Sequence, residues 1–213
     1  MYPIGKSELK VLQGISLNIE RSEMVAIMGP SGSGKSTLLN MIGLLDRPTS
    51  GSYILDGSEV SRLSGAELAK IRGQKIGFIF QDFNLLPYLS ALDNVELGQK
   101  YAGKTDLHVA KEALEKVGLA DRIKHRPNEM SGGEQQRVAV ARALAKDPPI
   151  ILADEPTGNL DSKSSKEIMN ILTNLHQEQN ITLVMITHDP SVAHYCQRIV
   201  HIRDGQVISE EKL

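Results

Sequence analysis

The stretch Met24-Val25-Ala26-Ile27-Met28-Gly29-Pro30-Ser31-Gly32-Ser33-Gly34-Lys35-Ser36-Thr37 decides the fold. Met24–Met28 is a short apolar run that predicts a buried strand. Gly29–Thr37 fits G-x-x-x-x-G-K-[ST], the Walker A pattern, and Ser36–Leu45 after it reads as helix. Strand, glycine-rich loop and helix in that order make a phosphate-binding device. The glycines let the chain turn tightly enough for successive N–H groups to converge on phosphate oxygens, and the helix N-terminus adds its partial positive charge. Gly29, Pro30, Ser31, Gly32, Ser33, Gly34, Lys35, Ser36 and Thr37 are therefore the expected nucleotide-binding residues. Lys35 is expected to reach the β- and γ-phosphates, and the Ser36 hydroxyl to coordinate Mg²⁺. A ligand-free Gly/Ser turn is the alternative, and the presence of both the full pattern and its strand–helix context disfavours it. Because such a loop touches phosphate and never the base, it leaves ATP and GTP open.

Outward from this loop, apolar runs at Ile76–Phe80, Ile150–Asp154, Thr182–Thr187 and Arg198–Ile202 predict further strands. Between them, Ala110, Ala113, Leu114 and Val117 share one helix face, as do Ile168, Ile171, Leu172 and Leu175. Alternation of this kind predicts an α/β domain with a largely parallel sheet. Antiparallel pieces are expected at the turn–strand–turn Gly51–Gly57, and at Asp204-Gly205 between Arg198–Arg203 and Gln206–Ser209. Residues 83–130 are mostly helical and polar, with loop signals at Tyr101–Thr105 and Pro127. We read residues 1–213 as a single domain, its core about 1–82 and 131–213, with a helical subdomain inserted at about 83–130.

Two apolar strands end in polar chemistry. Ile150–Asp154 finishes on Asp154, with Glu155 next, at the strand edge where α/β sheets place their ligands. Asp154 is expected to hold Mg²⁺ through water, and Glu155 to polarise a water for in-line attack on a γ-phosphate. The strand beginning at Thr182 leads to His188, a candidate hydrogen-bond donor to that phosphate. Solvated loop acids and a surface histidine are the bland alternatives, and a phosphate loop in the same chain weighs against them.

Composition bounds the setting. With 24 basic and 26 acidic residues, the chain is not a nucleic-acid binder of the strongly basic kind. A single cysteine, Cys196, allows no internal disulfide. No apolar run approaches the ~18–20 residues of a membrane-spanning helix, and no secretory signal is expected at the N-terminus. Any membrane role must therefore be exercised from the cytoplasmic face through a partner.

Ser131-Gly132-Gly133-Glu134-Gln135-Gln136 precedes a patterned helix with Val138, Ala141, Leu144 and Ala145 on one face. Ser131 and Glu134 also form a capping box. Here the chain resembles the ABC ATPases, whose signature reads close to L-S-G-G-Q; Met130 and Glu134 depart mildly from it. The resemblance covers essentially the whole chain, with the motifs in order. It implies that Gln81 is the glutamine coupling Mg²⁺ and the attacking water to a membrane partner. It implies also that Gly158-Asn159-Leu160-Asp161 lies across a dimer interface, with Asp161 in it. Two chains are expected head to tail, each ATP held between the phosphate loop of one copy and Ser131, Gly132 and Gly133 of the other. Cofactors so implied are ATP and Mg²⁺, and the partners are a second copy and an integral membrane permease. The chain would then sit peripherally on the inner face of the cell membrane.

Leu45–Gly51, Phe83–Pro87 and Glu155–Ser162 narrow the resemblance to the lipoprotein-release, macrolide-efflux and peptide-antibiotic-resistance group. In this family an aromatic residue stacks on adenine. Tyr2 is the candidate, and the usual first strand is expected to be missing or to start upstream. DNA- or ribosome-acting relatives are disfavoured by the short spacing from Lys35 to Ser131, the single copy of each motif and the lack of zinc-binding cysteines. A degenerate regulatory subunit is disfavoured because Lys35, Gln81, Asp154, Glu155 and His188 are all present.

Overall fold

A computed structural model describes residues 2–4 and 7–213, with side chains from Lys10 onward. Strands β1 (Tyr2–Ile4) and β2 (Ser7–Leu9) pair with each other, antiparallel, outside the main sheet. Two short strands thus occupy a region where the sequence predicted none; the Tyr2 side chain lies outside the described side chains. Next come β3 (Met24–Met28), α1 (Lys35–Ile42), the hairpin of β4 (Ile54–Leu55) and β5 (Ser58–Glu59), α2 (Gly65–Lys75) and β6 (Ile76–Phe80). Helices α3 (Ala91–Tyr101) and α4 (Leu107–Lys116) follow, then single 3₁₀ turns at Ala120–Arg122 and Pro127–Glu129, and α5 (Gly132–Leu144). The chain closes with β7 (Ile150–Asp154), α6 (Ser162–Gln179), β8 (Thr182–Ile186), α7 (Pro190–Ala193), β9 (Arg198–Arg203) and β10 (Gln206–Lys212).

The main sheet has the order β10-β9-β3-β8-β7-β6. All neighbours pair in parallel except β10, which returns antiparallel on β9 through the Asp204-Gly205 turn. This is the expected α/β class, with the predicted strands in place and small corrections at their ends. β8 stops at Ile186, one residue short of the expected Thr187, whose N–H instead bonds the Ile27 carbonyl at 3.3 Å. α1 starts at Lys35 and ends at Ile42, short of Leu45, because Leu44 turns to φ +56° and the Leu44 and Leu45 N–H groups close back on the Met41 and Asn40 carbonyls.

Both faces of a parallel sheet are covered, so its strands are apolar on both sides. Along β3, Met24 and Ala26 join the core beneath α4, α5 and α6, while Val25 and Ile27 join the core beneath α1 and α2. β7 and β8 divide the same way: Ile151, Ala153, Leu183 and Met185 face one layer, Leu152, Val184 and Ile186 the other. Among the described residues no helix is long and apolar enough to cross a membrane.

The sheet edge is fastened by Arg198 at the start of β9. Its guanidinium donates to both Glu23 oxygens (2.6 and 3.0 Å), to Glu210 on β10 (2.6 Å) and to the Asn18 carbonyl (2.7 Å). Arg198 and Glu23 are largely buried, with side chains 11% and 14% exposed, so loss of one partner strands the other's charge. Arg198→Met should therefore cost about 3 kcal/mol in urea unfolding. Glu210→Gln, which removes the more exposed partner, should cost well under half of that.

Candidate active site

The register of the sheet builds the site. Phe80 pairs with Asp154, Asp154 with Ile186, and Ile186 with Ile27, so four strands end on one row. The residues that follow are Gln81, Glu155, Thr187-His188 and Met28-Gly29. Residues far apart in sequence are thereby gathered on the carboxyl rim of the sheet, where open α/β sheets bind ligands.

Close packing shapes the loop after β3. A Cβ on Gly29 would stand 2.0 Å from the Ile202 carbonyl oxygen, and Gly32 and Gly34 adopt φ of +78° and +100°. Only glycine meets both demands cheaply. Ser33 is tied in through its backbone, its carbonyl accepting from Gly205 N–H at 3.0 Å. Its buried hydroxyl has no hydrogen-bond partner among the described residues. Helix α1 opens on Gly34 without a side-chain cap and with no acidic residue in its first turn. By contrast, α2, α3, α5 and α6 are capped by Ser64, Ser90, Ser131 and Asp161. The uncapped N–H groups of α1 suit an anion. Lys35 is buried and folds back over the loop, donating to the Gly29 and Pro30 carbonyls at 2.9 Å each.

On the neighbouring strands the carboxylates are unequal. Burial, then the charge of Glu155, pushes the Asp154 carboxyl above its usual range, with Lys35 opposing both. Glu155 has φ +45°, an uncommon conformation for a residue with a side chain. Its N–H bonds the Ile186 carbonyl at 3.0 Å, and its carboxylate lies 2.9 Å from His188 Nδ1. Ser36, Gln81 and Asp154 offer a hydroxyl, an amide and a carboxylate. Among the described residues no three His, Cys, Asp or Glu side chains form a metal cage. A divalent cation here would share its coordination with phosphate oxygens, and the half-buried, charge-crowded Asp154 fits such an ion.

Gln81 is held by Asn159, a residue of the stretch Gly158–Asp161 whose bond to Gln81 the sequence did not predict. The Gln81 amide donates to Asn159 Oδ1 (3.1 Å), while Asn159 Nδ2 donates to the Gln81 carbonyl (3.2 Å) and to Asp82 (2.8 Å). Its position four residues past Glu155 was the available signal. Asp161 caps α6, accepting from Lys163 and Ser164 N–H at 3.0 Å each.

Among the described residues no hydrogen bond joins Ser131, Gly132 and Gly133 to the phosphate loop of their own chain. Ser131 caps α5 through the predicted capping box: Glu134 N–H donates to Ser131 Oγ (3.3 Å), and Glu134 Oε2 accepts from Ser131 N–H (2.8 Å). Gly132 borders Phe83, Leu160 and Asn159, and a Cβ on Gly133 would press on Ser164 at 2.9 Å. The rim therefore gathers Gly29–Thr37, Gln81, Asp154, Glu155 and His188, while the neighbours of Gly132 and Gly133 are Phe83, Asn159, Leu160 and Ser164.

The family described as ABC transporter matches residues 12–158. The ABC transporter ATP-binding protein YknY of Bacillus subtilis is 55% identical, over 97% of this chain and 91% of that protein. The macrolide export ATP-binding/permease protein MacB of Chlorobaculum tepidum is also 55% identical, over 99% of this chain and only 33% of its own length. A dimeric structure of the ATP-binding cassette MJ0796 in a post-hydrolysis state, bound to ADP and Pi, superposes with a TM-score of 0.92. It is 49% identical, covering 100% of this chain and 94% of that one, and a related protein of this name comes from Methanocaldococcus jannaschii.

The raised Asp154 carboxyl sets a testable sign. A group whose folded pKa lies above its unfolded value makes the fold less stable as pH rises through that interval. Asp154→Asn should therefore melt at higher temperature than the unmodified chain at neutral pH. That advantage should vanish below the ordinary carboxylate range, while Mg²⁺-dependent nucleotide binding is lost at every pH.

Proposed function

The chain belongs to the ABC transporter family as one of its ATPases, and on that premise we propose that two copies close head to tail around two ATP molecules to drive a separate membrane permease. The observation that carries the reading is that, among the described residues, Ser131–Gly133 make no hydrogen bond with the phosphate loop, while the rim holds the parts for phosphoryl transfer. A second copy, turned end to end, supplies the missing wall. The dimeric state of the MJ0796 cassette and the permease part of MacB support the two partners.

In this reading the uncapped start of α1 and the loop N–H groups bind the β- and γ-phosphates. Lys35 exchanges its bonds with the Gly29 and Pro30 carbonyls for phosphate oxygens. Ser36, Gln81 and Asp154 would hold Mg²⁺, which supplies positive charge against the triphosphate. Glu155 accepts a proton from water as its oxygen bonds to the γ-phosphorus and the bond to the β-phosphate oxygen breaks. His188, 2.9 Å from that carboxylate, orients it and donates to the γ-phosphate. Asp161 borders the partner copy, and Gln81 couples the site to the permease.

Glu155→Gln should keep ATP binding yet slow hydrolysis by about 10²–10⁴-fold. The trapped nucleotide should hold a dimer in size-exclusion chromatography with Mg-ATP, where the unmodified chain runs mainly as monomer. Turnover unchanged by the substitution would remove Glu155 from the mechanism. Ser131→Arg, which sets a bulky cation where the partner's γ-phosphate docks, should leave nucleotide binding to the monomer intact and abolish both dimerisation and turnover.

A further inference from the structure

Gln136 is fully buried, with 0% of its surface exposed, on a helix whose other buried side chains are almost all apolar. Its amide does not cap the helix or pair with another side chain. Nε2 donates instead to two backbone carbonyls on different strand ends, Pro156 at 2.6 Å and Phe80 at 3.3 Å. Pro156 follows Glu155, and Phe80 precedes Gln81. The other end of the amide, Oε1, is buried without a partner among the described residues. A buried acceptor left unpaired works against stability, so an amide is a poor choice here for packing alone. What distinguishes it from an apolar side chain of the same size is where its N–H₂ goes.

Both carbonyls belong to backbone that needs holding. Glu155 has φ +45°, and Phe83 and Asn84, just beyond Gln81, have φ of +60° and +49°. Non-glycine residues in that region persist only where their surroundings fix them. The Phe83 and Asn84 carbonyls are taken by Arg142, from the same helix as Gln136. Asn159 ties the Gln81 side chain to the loop after Glu155 on the solvent side. Gln136 is the link from below, and it joins the Glu155 turn and the Gln81 segment in one amide group. Ser131, the cap of this helix, lies little more than one turn away from Gln136.

We propose that Gln136 is a positioning residue that fixes Gln81 relative to Glu155 and ties both to the helix that begins at Ser131. The proposal rests on the reading of Gln81 and Glu155 as parts of an ATPase site, and it adds the group that sets their spacing. A chain without this amide binds ATP normally, because among the described residues its bonds go to Phe80 and Pro156 and none to the phosphate loop, but holds the water-activating carboxylate out of place.

The test uses Gln136→Met, which keeps the volume and removes the amide, and Gln136→Asn, which keeps an amide one methylene too short. Two readouts are needed. Steady-state kinetics with a fluorescent ATP analogue as binding probe should show kcat at least about tenfold lower with Kd for nucleotide within about twofold, the pattern of a lost transition-state interaction. Amide hydrogen exchange on the nucleotide-free chain should show faster exchange across residues 80–84 and 155–160, with β3 and β8 protected as before. In a Glu155→Gln background, Gln136→Met should still give the ATP-bound dimer. Unchanged kcat together with unchanged exchange overturns the proposal. So does a loss of nucleotide affinity in step with kcat and with general loss of protection, which is a merely structural role. If the unmodified chain neither hydrolyses ATP nor dimerises, the proposed function fails, and the exchange data still decide whether Gln136 holds the two segments together.

Discussion

The Ile202 carbonyl oxygen occupies the place where a side chain on residue 29 would begin, and most of the site depends on that contact. It lets the chain leave β3 pressed against β9 and turn at once into the phosphate loop. Gly205, in the turn closing β9 on β10, then reaches the Ser33 carbonyl with its N–H, so the antiparallel edge of the sheet buttresses the loop. Arg198 pins that edge to Glu23, immediately before β3. The loop is thus held from both ends of the strands that flank it, and its N–H groups are in position before any ligand arrives. Preorganisation of this kind removes reorganisation from the chemical step.

The second constraint is register. Parallel strands in step bring the residues after Phe80, Asp154, Ile186 and Ile27 to one rim, although they come from distant parts of the sequence. On that rim the charges are arranged in opposition. Asp154 is half-buried beside Glu155, and one lysine offsets them while its own ammonium is occupied by loop carbonyls. Glu155 adds a positive φ to this crowding of charge, an uncommon backbone conformation for a residue with a side chain.

How much of this was legible in the sequence depended on whether the signal was local. β3, β6 and β7 were readable to the residue, because uninterrupted apolar runs bounded by turn residues leave little choice. The phosphate loop and the capping box at Ser131 were readable because each works through its own neighbours in the chain. Helix α2 was not predicted: its apolar face is thin, with Leu68 and Gly73 its only buried residues, and its signal was the capping box of Ser64 and Glu67. Asn159 and Gln136 stand inside motifs that the sequence shows, but the bonds they make were missed for a different reason. Their partners lie 78, 56 and 20 residues away in sequence, and neither motif tells which distant group its side chain will meet. That Ser131–Gly133 serve the partner's nucleotide came from family resemblance alone; the neighbours of these residues, Phe83, Asn159, Leu160 and Ser164, needed coordinates.

In the proposed function each chain carries only part of a working site. The most direct measurement is specific ATPase activity at saturating Mg-ATP over a wide range of protein concentration. A site completed by a second copy predicts specific activity that rises with concentration, with velocity following the square of protein concentration at the dilute end and becoming proportional to it when dimers predominate. Specific activity that stays constant down to the dilute limit, with the protein shown to be monomeric there, would mean that a single chain suffices and would contradict the account.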